Sequence, residues 1–404
     1  NTENWEKITR KIGRWVDFEN DYKTMDLDYM ESVIWAFKQL WNKNLIYEKD
    51  RVMPYSWKAE TPLSNFETRL DDAYRERKDT AVTVKFEILS SKIIDKKNKW
   101  YFLAWTTTPW TLPSNLACAV GEDIKYTHLS KGKENYILAS NILNKYEKEL
   151  SEFSIVREFM GKDLVNSTYK PLFPYFKNRN NAFRILSADF VNTQEGTGIV
   201  HMAPGFGEDD QNVCEKNHIK LVCPVDDQGN FTKEVPDYEG MNVFDSNEKI
   251  INSLRNKSQL IKKEIYSHNY PHCWRTDQPL IYKSVNSWYV NVSSFKNRMV
   301  ELNQEINWIP NHIKDGSFGK WLEGARDWSI SRNRFWGCPI PVWKSDDPKY
   351  PRVDVYGSLD EIEKDFGVRP DNLHRPNIDQ LTRINPDDPS GKSKMKRVPE
   401  VFDC

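Results

Sequence analysis

A short apolar run, Trp100–Ala104, followed closely by three threonines and a proline, constrains the fold of this chain more than any other stretch. The run is typical of a buried β-strand. Pro109 has no backbone N–H, so strand pairing is expected to stop before it, and Thr108 is pushed towards an extended conformation. The sequence therefore predicts a strand end that presents the hydroxyls of Thr106, Thr107 and Thr108. Taken alone, such a stretch is more often an ordinary strand edge than a catalytic pocket.

A second stretch, residues 195–210, changes that balance. It reads Glu-Gly-Thr-Gly-Ile-Val-His-Met-Ala-Pro-Gly-Phe-Gly-Glu-Asp-Asp and ends on three consecutive acids, Glu208, Asp209 and Asp210. Ile199–Val200 predicts a short strand, and the glycines allow the backbone to approach a ligand closely. The two stretches together indicate a site rather than an edge.

Length and charge limit the classes of protein to consider. With 404 residues and 47.7 kDa the chain exceeds what one core usually supports, so we expect at least two domains. A formal net charge of -1 argues against a generally basic nucleic-acid binder and against DNA, so any RNA must be held by local patches. The sequence has no long apolar run or charged-then-apolar leader, which predicts neither a membrane span nor a secretory signal. Its first and last residues suggest a fragment.

The cysteines indicate a reducing compartment. Six are scattered along the chain, at positions 118, 214, 223, 273, 338 and 404, and no two have CxxC spacing. This spacing supports neither a zinc knuckle nor a redox dithiol. A disulfide framework is not expected in a chain with this much core, so we predict a cytoplasmic protein.

The two stretches, in this order, closely resemble the editing domain of class I isoleucyl-tRNA synthetases of the cytosolic eukaryote-like kind. The segments Gly13–Asp26, Val52–Tyr55 and Ala325–Pro341 extend the resemblance over nearly the whole chain. The resemblance implies an α/β fold, with a β-barrel-like editing domain inserted into parts of a class I Rossmann-type catalytic body. The implied divisions are catalytic body and helical lead-in at 1–68, editing domain at 69–268, return to the body at 269–344, and a small second insertion with the next body element at 345–404.

The same resemblance implies a role for each candidate site residue. Asp210 resembles the acid that binds the α-ammonium group of the amino acid. Thr106, Thr107 and Thr108 resemble the peptide that holds the aminoacyl ester and orients water. His201 resembles the wall that sterically refuses isoleucine. Trp110 would support the amino-acid side of this pocket, and Trp336 would line the isoleucine pocket of the separate synthetic site.

The implied reaction is the editing of mischarged tRNA. Isoleucine-selective synthetases reject valine by only about 150-fold in one pocket, a general figure for this class of enzyme, so a second site must hydrolyse valyl-tRNA(Ile). The implied partners are the 3′ CCA end of tRNA(Ile) and valine or isoleucine as its ester. Editing would need no cofactor, whereas the synthetic site of the parent ligase would use ATP and Mg²⁺. The ATP-binding His-x-Gly-His element is absent, so we expect no ligase activity from residues 1–404 alone.

Other interpretations of these residues stay open from the sequence. Glu208, Asp209 and Asp210, with Asp226 and Asp227, could form a divalent-metal site of a hydrolase. The chain could instead be a non-catalytic tRNA-binding fragment, and His201 alone could be a core histidine.

Two departures from the family pattern also matter. Many relatives carry a CxxC where this chain has Ser56–Ala59 and another at Cys273–Thr276; only Cys273 remains, so we predict no metal site here. Ser393–Arg397 looks like the lysine loop of class I synthetases, but it precedes the Val398–Cys404 element, whereas the family's loop follows it. We expect Ser393–Arg397 to be a solvated basic turn.

Overall fold

The structure is a computed structural model that describes residues 2–64, 66–95 and 97–403, so Cys404 of the Val398–Cys404 element lies outside the described residues. The chain forms two compact units, one made of Asn1–Lys49 with Asn286–Cys404 and the other of Asp50–Val285. The segment 69–268 falls inside the second unit, which extends beyond it at both ends. Within the described residues, no helix has the length and apolar character needed to cross a bilayer.

The described residues contain α-helices in both units. Their bounds are α1 Thr2–Lys11, α2 Leu27–Asn42, α3 Glu208–Lys216, α4 Val243–Asn256, α5 Lys296–Glu305, α6 Ser317–Glu323 and α7 Leu359–Phe366. Apolar residues in the first 50 positions recur at helical spacing, as in Trp5, Ile8 and Ile12 and again in Met30, Ile34 and Phe37, which predicts these first two helices.

The β-strands are shorter and more numerous. Their bounds are β1 Ile46–Ser56, β2 Thr61–Pro62, β3 Tyr74–Ser90, β4 Lys99–Thr106, β5 Ala117–Val120, β6 Lys125–Lys131, β7 Glu134–Ala139, β8 Ser154–Met160, β9 Thr168–Tyr169, β10 Arg184–Ser187, β11 Ile199–Met202, β12 Leu260–Pro271, β13 Ile281–Val290, β14 Trp328–Ser329, β15 Ser331–Arg332, β16 Val342–Ser345, β17 Val353–Val355, β18 Arg383–Ile384, β19 Lys394–Arg397 and β20 Val401–Phe402.

Six strands of the Asp50–Val285 unit close into a barrel in the order β3-β9-β10-β5-β11-β4, because β3 pairs with both β9 and β4. The β10–β5 and β11–β4 pairs are parallel, and the other neighbours in the ring are antiparallel. The sheet continues beyond the ring through β7, β6 and β8 on one side and β12 on the other. Closure leaves the ring without a free edge. The predicted β-barrel within an α/β chain is confirmed.

The predicted buried strand is β4. Its residues Trp100–Ala104 are all buried, with Phe102, Leu103 and Ala104 fully inaccessible. A strand that is buried on both faces is apolar continuously rather than at alternate positions, which explains this run. Each fully buried large side chain contributes roughly 1.5–3 kcal/mol, so β4 anchors the barrel core. The second predicted strand, at Ile199–Val200, is confirmed as β11.

The prediction of a solvated basic turn at Ser393–Arg397 is wrong, because Lys394–Arg397 is strand β19, paired with both β16 and β18. Met395 and Arg397 are buried, while Lys394 and Lys396 are exposed. The buried guanidinium of Arg397 pairs with Asp379, with an N–O distance of 2.5 Å. Residues 394–397 therefore alternate between exposed and buried positions, as a strand does. Because one of the two buried residues is an arginine, the sequence does not show the usual alternation of polar and apolar residues.

Candidate active site

The threonine-rich stretch leaves the barrel where β4 ends. The strand stops at Thr106, and a short 3₁₀ helix begins at Pro109 and ends at Ser114. Thr108 has φ −122° and ψ 73°, and its backbone N–H donates to Thr106 Oγ1 at 3.1 Å. The expected strand end before the proline is confirmed.

The threonine hydroxyls form an ordered chain of hydrogen bonds. Thr111 Oγ1 donates to the carbonyl oxygen of Thr108 at 2.9 Å, which uses its single hydrogen. It must therefore accept from Thr108 Oγ1, 3.3 Å away, and Thr108 in turn accepts from Thr106 Oγ1 at 3.2 Å. Among the described residues, no protein group hydrogen-bonds the Thr107 hydroxyl. Of the three predicted threonines, Thr107 is thus the one whose hydroxyl is available to water or a ligand.

A cavity of about 360 Å³ opens beside this strand end. Residues 105–107 line one side, and residues between Phe190 and His201 line the other. Gly198, in the second wall, has φ +71°, and a Cβ there would lie 2.5 Å from the Ala139 Cβ. Gly198 therefore allows the backbone of this wall to adopt a left-handed conformation while it packs closely against Ala139 at the end of β7. The structure brings Thr106, Thr107 and His201 together around one cavity.

His201 is buried, and both of its ring nitrogens are engaged. Asn115 Nδ2 lies 2.8 Å from Nδ1 and also donates to the carbonyl oxygen of Ala117 at 2.8 Å, so it is the amide donor. Nδ1 therefore accepts, and Nε2–H donates to Thr111 Oγ1 at 3.0 Å. Burial lowers the pKa of His201 to about 3, so the ring is neutral near pH 7. His201 therefore lines the cavity with both ring nitrogens already hydrogen-bonded inside the protein, so neither nitrogen is free to act as a base.

Thr111 and Asn115 are the residues that sequence reasoning missed. The two hold the His201 ring from opposite nitrogens, and Asn115 Oδ1 also accepts from the hydroxyl of Tyr169 at 2.7 Å. The sequence offered one signal for these two residues, which is their proximity to the three threonines. Thr111 lies in the short 3₁₀ helix that follows the threonines, and Asn115 caps the end of that helix. Nothing in the sequence alone links Thr111 and Asn115 to a histidine that lies 90 and 86 residues further along the chain.

We expect Thr111→Val to destabilise the barrel unit by about 1–3 kcal/mol, because the buried Nε2–H of His201 loses its acceptor, while the Thr108 carbonyl keeps the backbone N–H of residue 111 as a donor. Thermal melting should show a drop of several degrees. Thr107→Val is the matched control, since it removes a hydroxyl without a described protein partner and should change stability by less than about 0.5 kcal/mol. Equal melting temperatures for the two variants would contradict the hydrogen-bond chain.

The acid run forms the first turn of α3. Glu208 and Asp209 are exposed, and their charges suit the positive end of the helix dipole. Asp210 differs, because its Oδ2 accepts from the backbone N–H of Ala203 at 2.8 Å. Burial raises the pKa of Asp210 to about 6, although this hydrogen bond opposes the shift. Among the described residues, no cation pairs with this carboxylate, and Asp210 is not one of the residues that line the cavity.

Asp210 is expected to make the stability of the unit depend on pH. Its folded-state pKa of about 6 lies above the ordinary 3.8, so the native state holds this proton more tightly than the unfolded state. Stability is therefore greatest below about pH 4 for this group and falls as pH rises through about 6, by about 2–3 kcal/mol in total. Asp210→Asn removes the half-buried charge and should raise the free energy of unfolding at pH 8 but not at pH 4. Urea unfolding at both pH values measures this, with Asp209→Asn as the exposed control; a pH-independent difference would contradict the half-buried charge.

Neither predicted tryptophan is among the residues that line the cavity. Trp110 is buried, packs edge-on against Phe206 at a centroid distance of 4.9 Å, and its backbone N–H donates to Asn247 Oδ1. It supports the 3₁₀ helix rather than lining the cavity. Trp336 belongs to the other compact unit, where its side chain is 69% exposed and its ring lies 5.6 Å from that of His374.

Cys273 sits among hydroxyls rather than thiolates. Burial raises the pKa of its thiol, but hydrogen bonds from the side chains of Ser56 and Thr276, together with those from the backbone N–H groups of residues 275 and 276, bring the pKa below its ordinary value. One thiol and two hydroxyls do not supply the four N or S ligands that structural zinc takes. Elsewhere in the described residues, no cluster of three His, Cys, Asp or Glu side chains has a geometry that would hold a metal ion, and this includes the acid run of α3.

We expect purified protein to carry substoichiometric zinc, because the donor set around Cys273 is mostly hydroxyl. Elemental analysis after gel filtration measures this. The informative comparison is a Ser56→Cys/Ala59→Cys/Thr276→Cys variant, which supplies four thiols at the family's spacing and should gain about one zinc per chain. One zinc per chain in the wild type would contradict the prediction.

The fold and site define a mixed α/β protein with a threonine-lined cavity in a closed barrel. The family model of the class I tRNA synthetases (I, L, M and V) matches residues 1–404. The chain belongs to this family.

Curated relatives refine the similarity. The chain is 62% identical over 409 residues to an isoleucine–tRNA ligase of Rickettsia canadensis (strain McKiel), covering 100% of this chain and 38% of that protein. It is 62% identical over 418 residues to the isoleucine–tRNA ligase of Rickettsia prowazekii (strain Madrid E), with 99% and 38% coverage. The resemblance inferred from the motifs is confirmed, and the chain spans less than half the length of these relatives.

Solved structures with partial similarity are editing domains. The P. knowlesi cytosolic leucyl-tRNA synthetase editing domain is 14% identical with a TM-score of 0.34, covering 47% of this chain and 97% of that one. The corresponding P. falciparum domain is 12% identical with a TM-score of 0.36, covering 47% of this chain and 100% of that one.

Proposed function

We propose that the Asp50–Val285 unit hydrolyses the ester bond of valyl-tRNA(Ile), and that residues 69–268 are its editing domain. The parent protein is an isoleucine–tRNA ligase that activates isoleucine with ATP and Mg²⁺ and joins it to tRNA(Ile). Family membership supports this proposal, and the observation that carries it is the hydroxyl-lined cavity with a neutral imidazole wall. His-x-Gly-His is absent from the sequence, so no step is assigned to ATP in this chain.

Substrate choice depends on one methylene. Valine and isoleucine differ by that group, so a site that accepts the smaller side chain and excludes the larger needs a wall that does not yield. His201 meets this requirement, because Asn115 and Thr111 fix its ring from both nitrogens. A rigid wall rejects isoleucine by steric overlap, whereas a mobile one would move aside.

The chemistry requires only a positioned water. The water oxygen bonds to the ester carbonyl carbon, the bond from that carbon to the ribose oxygen breaks, and one water proton passes to the departing ribose oxygen, which becomes a hydroxyl. The second proton is released as the valine carboxyl ionises. The Thr107 hydroxyl at the cavity wall is available to hold this water or the ester, with Thr106 and Thr108 keeping the strand end in place. This is catalysis by positioning, without a covalent enzyme intermediate.

The family resemblance assigns Asp210 to the α-ammonium group of the amino acid, although the residues that line the cavity do not include it. Its half-buried carboxylate accepts one backbone hydrogen bond, from Ala203, two residues after the wall residue His201. A carboxylate with a pKa raised by burial gains more from an arriving cation than an exposed one does. Binding of the ammonium group would therefore hold Asp210 ionised.

The experiment is deacylation of two charged tRNAs by the 404-residue chain. Release of labelled amino acid should be fast from valyl-tRNA(Ile) and close to the protein-free rate from isoleucyl-tRNA(Ile). A Thr106→Val/Thr107→Val/Thr108→Val variant that melts like the wild type serves as the control and should lose the activity. Binding of both tRNAs with no hydrolysis of either would identify a non-catalytic tRNA-binding unit instead.

A further inference from the structure

Aromatic rings line one face of β12 at every second residue. Tyr266, His268 and Tyr270 share that face, because side chains of a strand alternate, and His272 follows directly after the end of the strand at Pro271. Their ring centroids are separated in turn by 5.3, 5.3 and 6.4 Å. All four residues are half-buried, so part of each remains open to solvent. From Tyr266 to His272 the row extends about 20 Å.

The row begins at the rim of the cavity. Trp105, which lines the cavity, lies edge-on to the Tyr266 ring at a centroid distance of 5.2 Å. The Tyr266 hydroxyl donates to Glu195, another lining residue, at 2.5 Å. Trp105 Nε1–H donates to Glu264 of β12 at 3.1 Å. The ring ladder, defined as Trp105, Tyr266, His268, Tyr270 and His272, is therefore held to the cavity wall at its first two members.

Charges on this face are matched within the protein. Lys262 pairs with Glu264 at 3.0 Å, and Asp79 pairs with Arg77 at 2.8 Å and also forms a hydrogen bond with His268 Nε2 at 2.9 Å. A ligand that approaches the ring ladder therefore meets ring surface with little net charge. This favours recognition by stacking over recognition by phosphate contacts.

We propose that the ring ladder binds the single-stranded nucleotides that precede the esterified 3′ nucleotide of the tRNA. The inference rests on the proposed function, because an ester seated in the cavity is joined to RNA that must cross the cavity rim. Bases of any sequence stack on aromatic side chains, which makes such a row suited to a single strand rather than to a duplex. The ladder leads the strand from the rim at Trp105 along β12.

The test is RNA binding by the full chain, measured by fluorescence anisotropy. The probe is an uncharged RNA hairpin with an unpaired 3′ tail ending in CCA, and the comparison probe is the same hairpin with the tail paired. Tyr266→Leu/His268→Leu should weaken binding of the tailed hairpin by about tenfold or more and leave the blunt hairpin unchanged. Because stacking rather than phosphate contact is lost, the ratio should persist between about 50 and 200 mM salt.

Two variants serve as controls. Tyr74 pairs with Pro271, so it lies on the opposite face of the β3–β12 ribbon, where it is 54% exposed; Tyr74→Leu should bind both hairpins as the wild type does. Tyr266→Phe keeps the ring and loses only the bond to Glu195, and should stay within about threefold of wild type. Two results would contradict the proposal that the ring ladder binds the single strand. One is wild-type affinity of the folded double variant for the tailed hairpin, and the other is a loss of affinity in Tyr266→Phe as large as that in the double variant. Failure of wild-type deacylation would overturn the proposed function alone, since the binding assay needs no ester.

Discussion

Asp210→Ala is expected to slow deacylation of valyl-tRNA(Ile) by about two to three orders of magnitude. At about 4 Å and an effective dielectric constant near 20, a carboxylate attracts an ammonium group by about 4 kcal/mol before desolvation is subtracted. Removal of one partner of a sheltered pair also leaves the other charge unmatched, a loss of roughly 2–5 kcal/mol. In the free protein this carboxylate is already surrounded by protein atoms, which raises its pKa to about 6, so desolvation is partly complete before the substrate arrives.

The neighbouring acids provide the matched comparison for Asp210. Glu208→Ala and Asp209→Ala remove exposed charges from the same helical turn and should stay within a few-fold of wild type. Single-turnover deacylation and thermal melting are measured for all three variants. Equal rates for the three variants would indicate that all three acids only interact with the positive end of the α3 helix dipole. A fall in melting temperature large enough to explain the Asp210 defect would do the same.

His201→Ala is expected to make isoleucyl-tRNA(Ile) a substrate while valyl-tRNA(Ile) stays one. Loss of the imidazole opens space comparable to one methylene, which in an apolar pocket is worth roughly 1–3 kcal/mol, or about 10- to 200-fold in relative rate. The ring uses both nitrogens inside the protein, so its removal should not take away a catalytic base. The measurement is the ratio of kcat/KM for the two charged tRNAs.

His201→Gln is the conservative control for this loss. A glutamine amide is long enough to retain a donor towards Thr111 and keeps most of the side-chain volume, so the variant should still spare isoleucyl-tRNA(Ile). Both variants also report on stability, since His201→Ala removes one buried hydrogen-bond partner from each of Asn115 and Thr111, at about 1–3 kcal/mol. If folded His201→Ala still spares isoleucyl-tRNA(Ile), the wall lies elsewhere.

Local chemistry made much of the barrel unit predictable. The end of β4 before Pro109 follows from the missing N–H of proline, and β11 follows from a short β-branched run after glycines. The wrong prediction at Lys394–Arg397 arose because three basic residues suggested a solvated turn. In the structure Arg397 is buried, and Asp379 from another segment neutralises its charge. A run of charged residues in the sequence does not reveal which of them forms a buried ion pair.

By itself, the sequence determined the family, the barrel and the stretches that form the cavity, because motifs and strand periods are encoded by residues near one another. Only the tertiary structure decided how the site is organised. Thr111 and Asn115 reach His201 across 90 and 86 residues, and this contact alone assigns the imidazole its tautomer. Burial likewise separates Asp210 from Glu208 and Asp209, three acids that look alike in the sequence. Hydrogen-bond partners and burial depend on which segments the fold brings together, and no local pattern specifies them.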